Sequence, residues 1–220
     1  MQGGSRLLRD FIRKNRQIYL FALFPLIWLA YFLSASRQCE RMLMHCPLDD
    51  LIPFLPVFII PYVLWYLYVP TALLLNCFSD PAYFKRQCAC FFGGAGVCLL
   101  VIMLFPTAVD FRPEINGVGI FSRMCGIIFS MDDAVCVFPS LHCYEALCAH
   151  LTAFASPGMR GKRRLRAASA VLVVLICLST VFIKQHSVID LAAGCAAAVI
   201  AALPLLLAKK KRGHHDNKTV

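Results

Sequence analysis

The stretch AASAVLVVLICLSTVFI at 167–183, the connector KQHS at 184–187 and the stretch VIDLAAGCAAAVIAALPLLL at 188–207 decide the fold. Each flanking run is apolar over 17 to 20 residues. At a rise of about 1.5 Å per residue, that is the length needed to cross a hydrocarbon core of about 30 Å. Working outward, runs of similar character recur at 17–34, 51–75, 91–109 and 139–155. They predict an all-α polytopic membrane bundle of six transmembrane helices, forming a single domain over 1–220 with basic ends at about 1–16 and 208–220. The segment 117–138 is also apolar but holds Arg123, Asp132 and Asp133, which predicts a loop or a surface helix. Pro53, Pro56, Pro61 and Pro70 predict kinks in the second span.

Composition agrees. The chain is 60% hydrophobic and 15% charged, against roughly 45–50% and about 25% for soluble domains. A soluble fold of 220 residues has no interior for that much apolar surface, so a water-soluble enzyme is excluded. The net charge of +10 looks like a nucleic-acid signature until its 22 Lys and Arg are placed. With the N-terminus inside, 17 of them fall on the inner side, in blocks such as Arg6 to Arg16, Arg160 to Arg166 and Lys209 to Arg212. Only Arg37, Arg41, Arg112, Arg123 and Lys184 fall outside. This is the positive-inside pattern, whereas nucleic-acid binding clusters its charge on one folded element. It predicts cytoplasmic termini and an uncleaved first span in a compact, bacterial-looking cytoplasmic membrane protein. Among the 12 cysteines, only Cys39, Cys46, Cys125 and Cys136 fall on the outer side, where a disulfide is chemically possible. Cys88-Ala-Cys90 has no second ligand pair, so neither metal nor cofactor is expected.

In so apolar a chain, ionisable groups beside the spans carry information, because they are costly there and usually functional. Three clusters fall on the predicted outer side: Arg112-Pro113-Glu114, Pro139-Ser140-Leu141-His142, and the run from Lys184 through His186 to Asp190. His186 and Asp190 are four apart and share a face if the last helix starts near His186. The carboxylate would then accept one imidazole N–H and leave the other nitrogen free as nucleophile or base. Pro139 suits a first helical position, placing Ser140 to His142 in a first turn whose amides favour phosphate. Arg112 and Lys184 add positive charge. Taken singly, Arg112 and Lys184 read as snorkelling side chains, His142 as a hydrogen-bonded bundle histidine, Ser140 as a cap and His186 with Asp190 as a bridging pair. Their convergence on one face argues for phosphoryl transfer. His45 and His150 stay outside that pattern, and Glu145, one turn beyond His142, faces the bundle interior with an open role.

At these residues the sequence resembles the type 2 phosphatidic acid phosphatase superfamily, membrane lipid phosphatases related in fold to vanadium haloperoxidases. Its three blocks, KxxxxxxRP, PSGH and SRxxxxxHxxxD, correspond here to Phe105-x6-Arg112-Pro113, to Pro139-Ser140-Leu141-His142, and to Ser179-Thr180-x5-His186-x3-Asp190. The resemblance implies that His186 is the nucleophile of a phosphohistidine, that Asp190 orients it, and that His142 protonates the leaving group and later activates water. It implies that Arg112, Ser140 and the backbone around Leu141 hold the phosphate, without magnesium. Phe105 and Thr180 stand where the family has a lysine and an arginine, and Lys184 is the candidate replacement. Leu141 replaces the family glycine, as in inositol phosphorylceramide synthases and related lipid phosphotransferases. The implied partner is a membrane lipid, phosphatidic acid-like or a polyprenyl diphosphate. The acceptor stays open between water and an alcohol, and an inactive lipid-binding protein is a third reading.

Overall fold

The computed structural model describes residues 15–216 except 116 and 118, with side chains as far as 208. The basic residues Arg6, Arg9, Arg13, Lys14 and Lys218 lie outside the described residues. A 3₁₀ stretch, Arg16–Ala22, runs into the helix Leu23–Ala35 (α1). A short strand Met42–Leu43 (β1) and a one-turn helix Pro47–Leu51 (α2) follow. The 3₁₀ turn Pro56–Phe58 then leads into Ile59–Leu74 (α3). After Pro81–Leu104 (α4) come the strand Thr107–Ala108 (β2) and the helix Ile120–Met131 (α5). The chain ends with Leu141–Ala155 (α6), Arg163–Phe182 (α7) and Val188–Asp216 (α8).

The all-α membrane bundle expected from the sequence is present, with five helices long and apolar enough to cross a membrane: Arg16–Ala35, Pro56–Leu74, Pro81–Leu104, Arg163–Phe182 and Val188–Ala208. The run expected as a further span at 139–155 forms α6, which is shorter. It starts at the Ser140 cap and stops before Ser156 and Pro157. Ten of its fifteen residues are buried, because α3, α4, α7 and α8 surround it. A helix enclosed by protein need not match the hydrocarbon thickness, and its small Ala146, Ala149 and Ala153 let the neighbours approach closely. The peripheral helices instead present Leu67, Val97, Leu104 and Ile200, each more than 60% exposed, as an apolar belt.

Two boundaries differ from the hydropathy reading. The run at 91–109 belongs to a helix that starts ten residues earlier, because the Asp80 side chain accepts from the Tyr83 amide (2.9 Å) and Pro81 occupies the first turn. Lys85, Arg86 and Gln87 are thereby helical. The run at 51–75 is helical only from Ile59, after the 3₁₀ turn that Pro56 opens. The segment 117–138 contains the amphipathic helix α5, in keeping with a surface helix.

At the end of the bundle where α1, α4 and α7 finish and α3, α6 and α8 begin, the loops are stitched together. β1 and β2 pair in parallel, the Cys136 amide donates to the Thr107 carbonyl (2.8 Å), and the Phe138 amide donates to Thr107 Oγ1 (3.0 Å). Buried Thr107 thus holds the segment leading into α6. The basic segment 160–166 lies at the opposite end, in the turn before α7 and the first residues of that helix. All twelve cysteines are free thiols.

Candidate active site

α6 and α8 meet most extensively in the bundle, and the contact depends on a glycine. A Cβ on Gly194 would stand 2.4 Å from the Ser140 carbonyl oxygen and 3.2 Å from Cys143 Cβ. Without it, the start of α6 lies against the first turns of α8, and the Ser140 amide donates to the Asp190 carbonyl (3.1 Å). That bond brings the second and third polar clusters together. Pro139 sits just before the cap, not at the first helical position expected, and Ser140 is the N-cap, its hydroxyl accepting from the Cys143 amide (3.4 Å). Leu141 and His142 open the helix, where backbone amides have no preceding turn to bond.

The segment carrying His186 is built from the end of α7. Lys184 adopts a left-handed backbone (φ 58°). The amides of Gln185 and His186 then both donate to the Thr180 carbonyl (2.9 and 3.1 Å), folding the chain back over the helix end. Ser187 caps α8: its hydroxyl accepts from the Ile189 amide (3.3 Å), while Asp190 Oδ2 accepts from the Ser187 amide (2.8 Å). Asp49, from α2, locks this arrangement. Its Oδ1 accepts from the Val188 amide (2.9 Å), and its Oδ2 accepts from Ser187 Oγ (2.6 Å) and the Cys46 amide (2.8 Å). Burial pushes the Asp49 carboxyl up, but the bonds from Ser187, Val188 and Cys46 prevail and hold it below its ordinary value. Lys184 Nζ donates to the Asp49 carbonyl (2.6 Å), and Lys184 is absent from the cavity wall. The candidate phosphate cation is therefore engaged in holding the loop.

The two histidine rings lie 5.8 Å apart, centroid to centroid. His186 Nδ1 lies 3.0 Å from the Val137 carbonyl and 3.7 Å from Asp190 Oδ2. A carbonyl only accepts, so Nδ1 carries the proton, and in the neutral ring Nε2 is the nitrogen with the lone pair. The hydrogen-bond partner is thus the Val137 backbone, while Asp190, fully buried, sits just outside bonding distance of the ring. His142 packs between the rings of Tyr62 (4.6 Å) and Trp65 (4.3 Å), and its Nε2 is buried without a partner.

Arg112 reaches the same place from the loop after β2. It donates to the carbonyls of Asp132 (2.7 Å) and Asp133 (3.1 Å) and to Gln185 Oε1, with its guanidinium 5.0 Å over the Phe129 ring. Burial lowers its pKa from the ordinary value, with nearby Asp132 acting the other way. Arg112 Nε and Gln185 Nε2 have no partner. The Asp132 carboxylate accepts from the hydroxyls of Tyr31 (2.8 Å) and Tyr62 (3.2 Å). A cavity of about 230 Å³ joins these groups. Arg112, Leu141, His142 and His186 line it; Ser140, Lys184 and Asp190 stand behind the wall. Phe105 is 57% exposed on the bundle surface, and Thr180, fully buried, bonds through its hydroxyl to the Cys177 carbonyl (2.8 Å). Neither motif position where the family has a cation supplies one to the cavity.

Asp49, Gln185, Tyr62, Trp65 and Asp132 were given no site role by the sequence. Only Asp49 carried a local signal, the helix start Cys46-Pro47-Leu48-Asp49. His150 bonds to Ser169 (2.8 Å) and His45 to Asp50 (2.9 Å), and neither lines the cavity. No curated protein and no solved structure matches the chain. The profile of the PAP2 superfamily spans residues 37–204, from the loop after α1 to just past the middle of α8 and including His142, His186 and Arg112; the chain belongs to this type 2 phosphatidic acid phosphatase superfamily.

Proposed function

We propose that the protein is a membrane phosphatase that hydrolyses a lipid phosphate or diphosphate through a phosphohistidine on His186. The observation that carries this reading is a set of four buried nitrogens without partners, Trp65 Nε1, Arg112 Nε, His142 Nε2 and Gln185 Nε2, belonging to side chains that line one cavity with His186. A buried donor left unpaired is destabilising, and phosphoryl oxygens supply the acceptors these groups lack.

In the first step His186 Nε2 attacks phosphorus as the bond to the lipid oxygen breaks, and His142 gives that oxygen a proton. Water then loses a proton to His142 and attacks phosphorus, breaking the P–N bond and freeing phosphate. The Val137 carbonyl and Asp190 stabilise the positive charge that His186 acquires. Arg112 and the first amides of α6 oppose the charge on the equatorial oxygens. No step in this reading uses a metal, so chelation leaves the rate unchanged. A phosphatidic acid-like lipid or a polyprenyl diphosphate suits the apolar wall. The basic segment 160–166 at the far end supports cytoplasmic termini and an outer-face site. Leu141, facing the cavity where the family has glycine, favours a second reading in which an alcohol replaces water and the enzyme transfers a lipid headgroup.

The test is phosphate release from lipid phosphates in detergent micelles, by the full chain and by His186→Ala. We expect release to fall by at least about a thousandfold in the variant. Release that survives His186→Ala refutes the mechanism. Headgroup transfer to an added lipid alcohol, without phosphate release, supports the transferase. Absence of both assigns a lipid-binding role without turnover.

A further inference from the structure

The first span is the least embedded of the five. From Arg16 to Ala35 only Gln17 and Ser34 are buried, and the helix it chiefly packs against is α4. Three contacts pin it there, at the end of the bundle remote from the two histidines. Gln17 Nε2 donates to the Cys77 carbonyl, just before α4 (2.9 Å). Phe21 stacks on Phe84 with 5.9 Å between centroids, and Phe24 meets Phe92 edge-on at 5.0 Å.

Beside those rings the seam is open. A groove of about 680 Å³ runs along it, within the range of about 300–1,000 Å³ common for ligand sites. Lys85, Ala89, Phe92 and Gly93 line it from α4, and Arg16, Leu20 and Leu23 from the first span. Spacings of three and four residues put the α4 set on one helical face. Ala89 and Gly93 leave the floor hollow: a Cβ on Gly93 would meet nothing within 4 Å. Arg16 and Lys85 stand at the same end of this floor. Both are exposed, and neither makes a hydrogen bond or ion pair among the described residues. No Asp or Glu among the described residues lines the groove.

An apolar hollow with two uncommitted cations at one end is complementary to a molecule with an acyl chain and an anionic head. Basic pockets between spans recognise anionic headgroups in this way. The chain's own residues before Asn15 carry four basic side chains against one acid, so their charge has the same sign as the groove's. A zwitterionic lipid would bring a cation of its own beside Arg16 and Lys85. We propose that the groove binds an anionic glycerophospholipid from the leaflet at that end of the bundle, its phosphate facing Arg16 and Lys85 and one acyl chain lying over Ala89 and Gly93. The lipid fills the seam by which the first span is held to α4. The site lies at the opposite end from the candidate active site and does not depend on the phosphatase reading.

The test reconstitutes the full chain in phosphatidylcholine vesicles with a trace of phosphatidylglycerol carrying a diazirine in one acyl chain, or of phosphatidylcholine carrying the same chain. After irradiation the labelled peptides are mapped by mass spectrometry. Phosphatidylglycerol should label 20–23 and 89–93 about thirtyfold more than phosphatidylcholine, with two basic groups contributing about fivefold each. Arg16→Ala combined with Lys85→Ala should bring the two lipids to within about twofold of each other. Arg163→Ala combined with Arg164→Ala removes the same charge from exposed positions at the start of α7 and should leave the ratio unchanged. Gly93→Leu keeps both cations, suits a helix better than glycine and fills the hollow, so labelling of 20–23 should be lost. Equal labelling of the parent by the two lipids overturns the proposal whether or not the variants fold, and so does labelling by neither. Equal losses in the two double variants overturn it as well, because a basic surface without a groove would behave that way. Labelling of 20–23 that survives Gly93→Leu overturns the seat of the acyl chain. None of these readouts involves turnover, so their failure leaves the phosphatase reading standing, and the failure of that reading leaves them.

Discussion

Replacing Gly194 by alanine tests whether the pairing of His142 with His186 depends on the approach of α6 to α8. The added Cβ would stand 2.4 Å from the Ser140 carbonyl oxygen, about 1 Å inside ordinary contact, and 3.2 Å from Cys143 Cβ. The nearest atom belongs to the backbone at a helix start, so no side-chain rotation relieves the clash. The start of α6 must move by about 1 Å, stretching the bond from the Ser140 amide to the Asp190 carbonyl (3.1 Å). Overpacking of this kind destabilises by about 1–3 kcal/mol. His142 rides on the displaced turn, and a misplacement of about 1 Å in a catalytic group lowers rates by about a hundredfold. The assay is phosphate release at saturating lipid, alongside the thermal midpoint in the same detergent. We expect kcat to fall about a hundredfold while the protein stays folded at 25 °C. A variant that keeps kcat within threefold refutes the claim that this contact sets the distance between the histidines.

Asp49→Asn should destabilise the fold by about 3 kcal/mol, because the buried loop loses a carboxylate accepting from Ser187, Val188 and Cys46. The Asp49 pKa is depressed below 3.8 in the fold, so its stabilisation is complete above that value and fades as pH falls through the lower folded value. Thermal midpoints measured from pH 7 to 3 should drop more steeply in the parent than in Asp49→Asn, and parallel slopes would contradict this. Lys184→Met removes the bond to the Asp49 carbonyl and should lower stability by about 1.5–3 kcal/mol while leaving KM within threefold. A large rise in KM would instead place the ammonium on the phosphate. Arg112→Lys keeps the charge but not the fork that grips two carbonyls and Gln185, and should lower kcat/KM by about a hundredfold; activity near that of the parent would show that charge alone suffices.

Hydropathy made the bundle legible because transfer into hydrocarbon is a local, additive property of each segment. That property does not distinguish lipid from protein as the surroundings, so 139–155 reads like the other spans, while α6 is shorter than they are and enclosed by protein. It also misses a polar helix start, which is why α4 begins at Pro81 through a cap and a proline. In the site, residues with fixed spacing were readable: His186 and Asp190 across one turn, Leu141 and His142 behind a cap. What the spacing left open was which atoms bond. The imidazole partner is the Val137 carbonyl, 49 residues distant in sequence. Asp49 reaches Ser187 and Val188 across 138 and 139 residues. Lys184 beside His186 suggested a phosphate ligand by proximity alone, but its left-handed backbone turns the side chain toward α2.

Trp28, Phe32 and Tyr66 line the cavity and are also 40%, 52% and 41% exposed. Rings carried by α1 and α3 thus border both the cavity that holds His142 and His186 and the accessible surface. If the cavity binds a lipid phosphate as proposed, its headgroup would enter between α1 and α3 while its tails stay outside. Substrates of different tail length would then present the same few methylenes to the protein and react at similar rates.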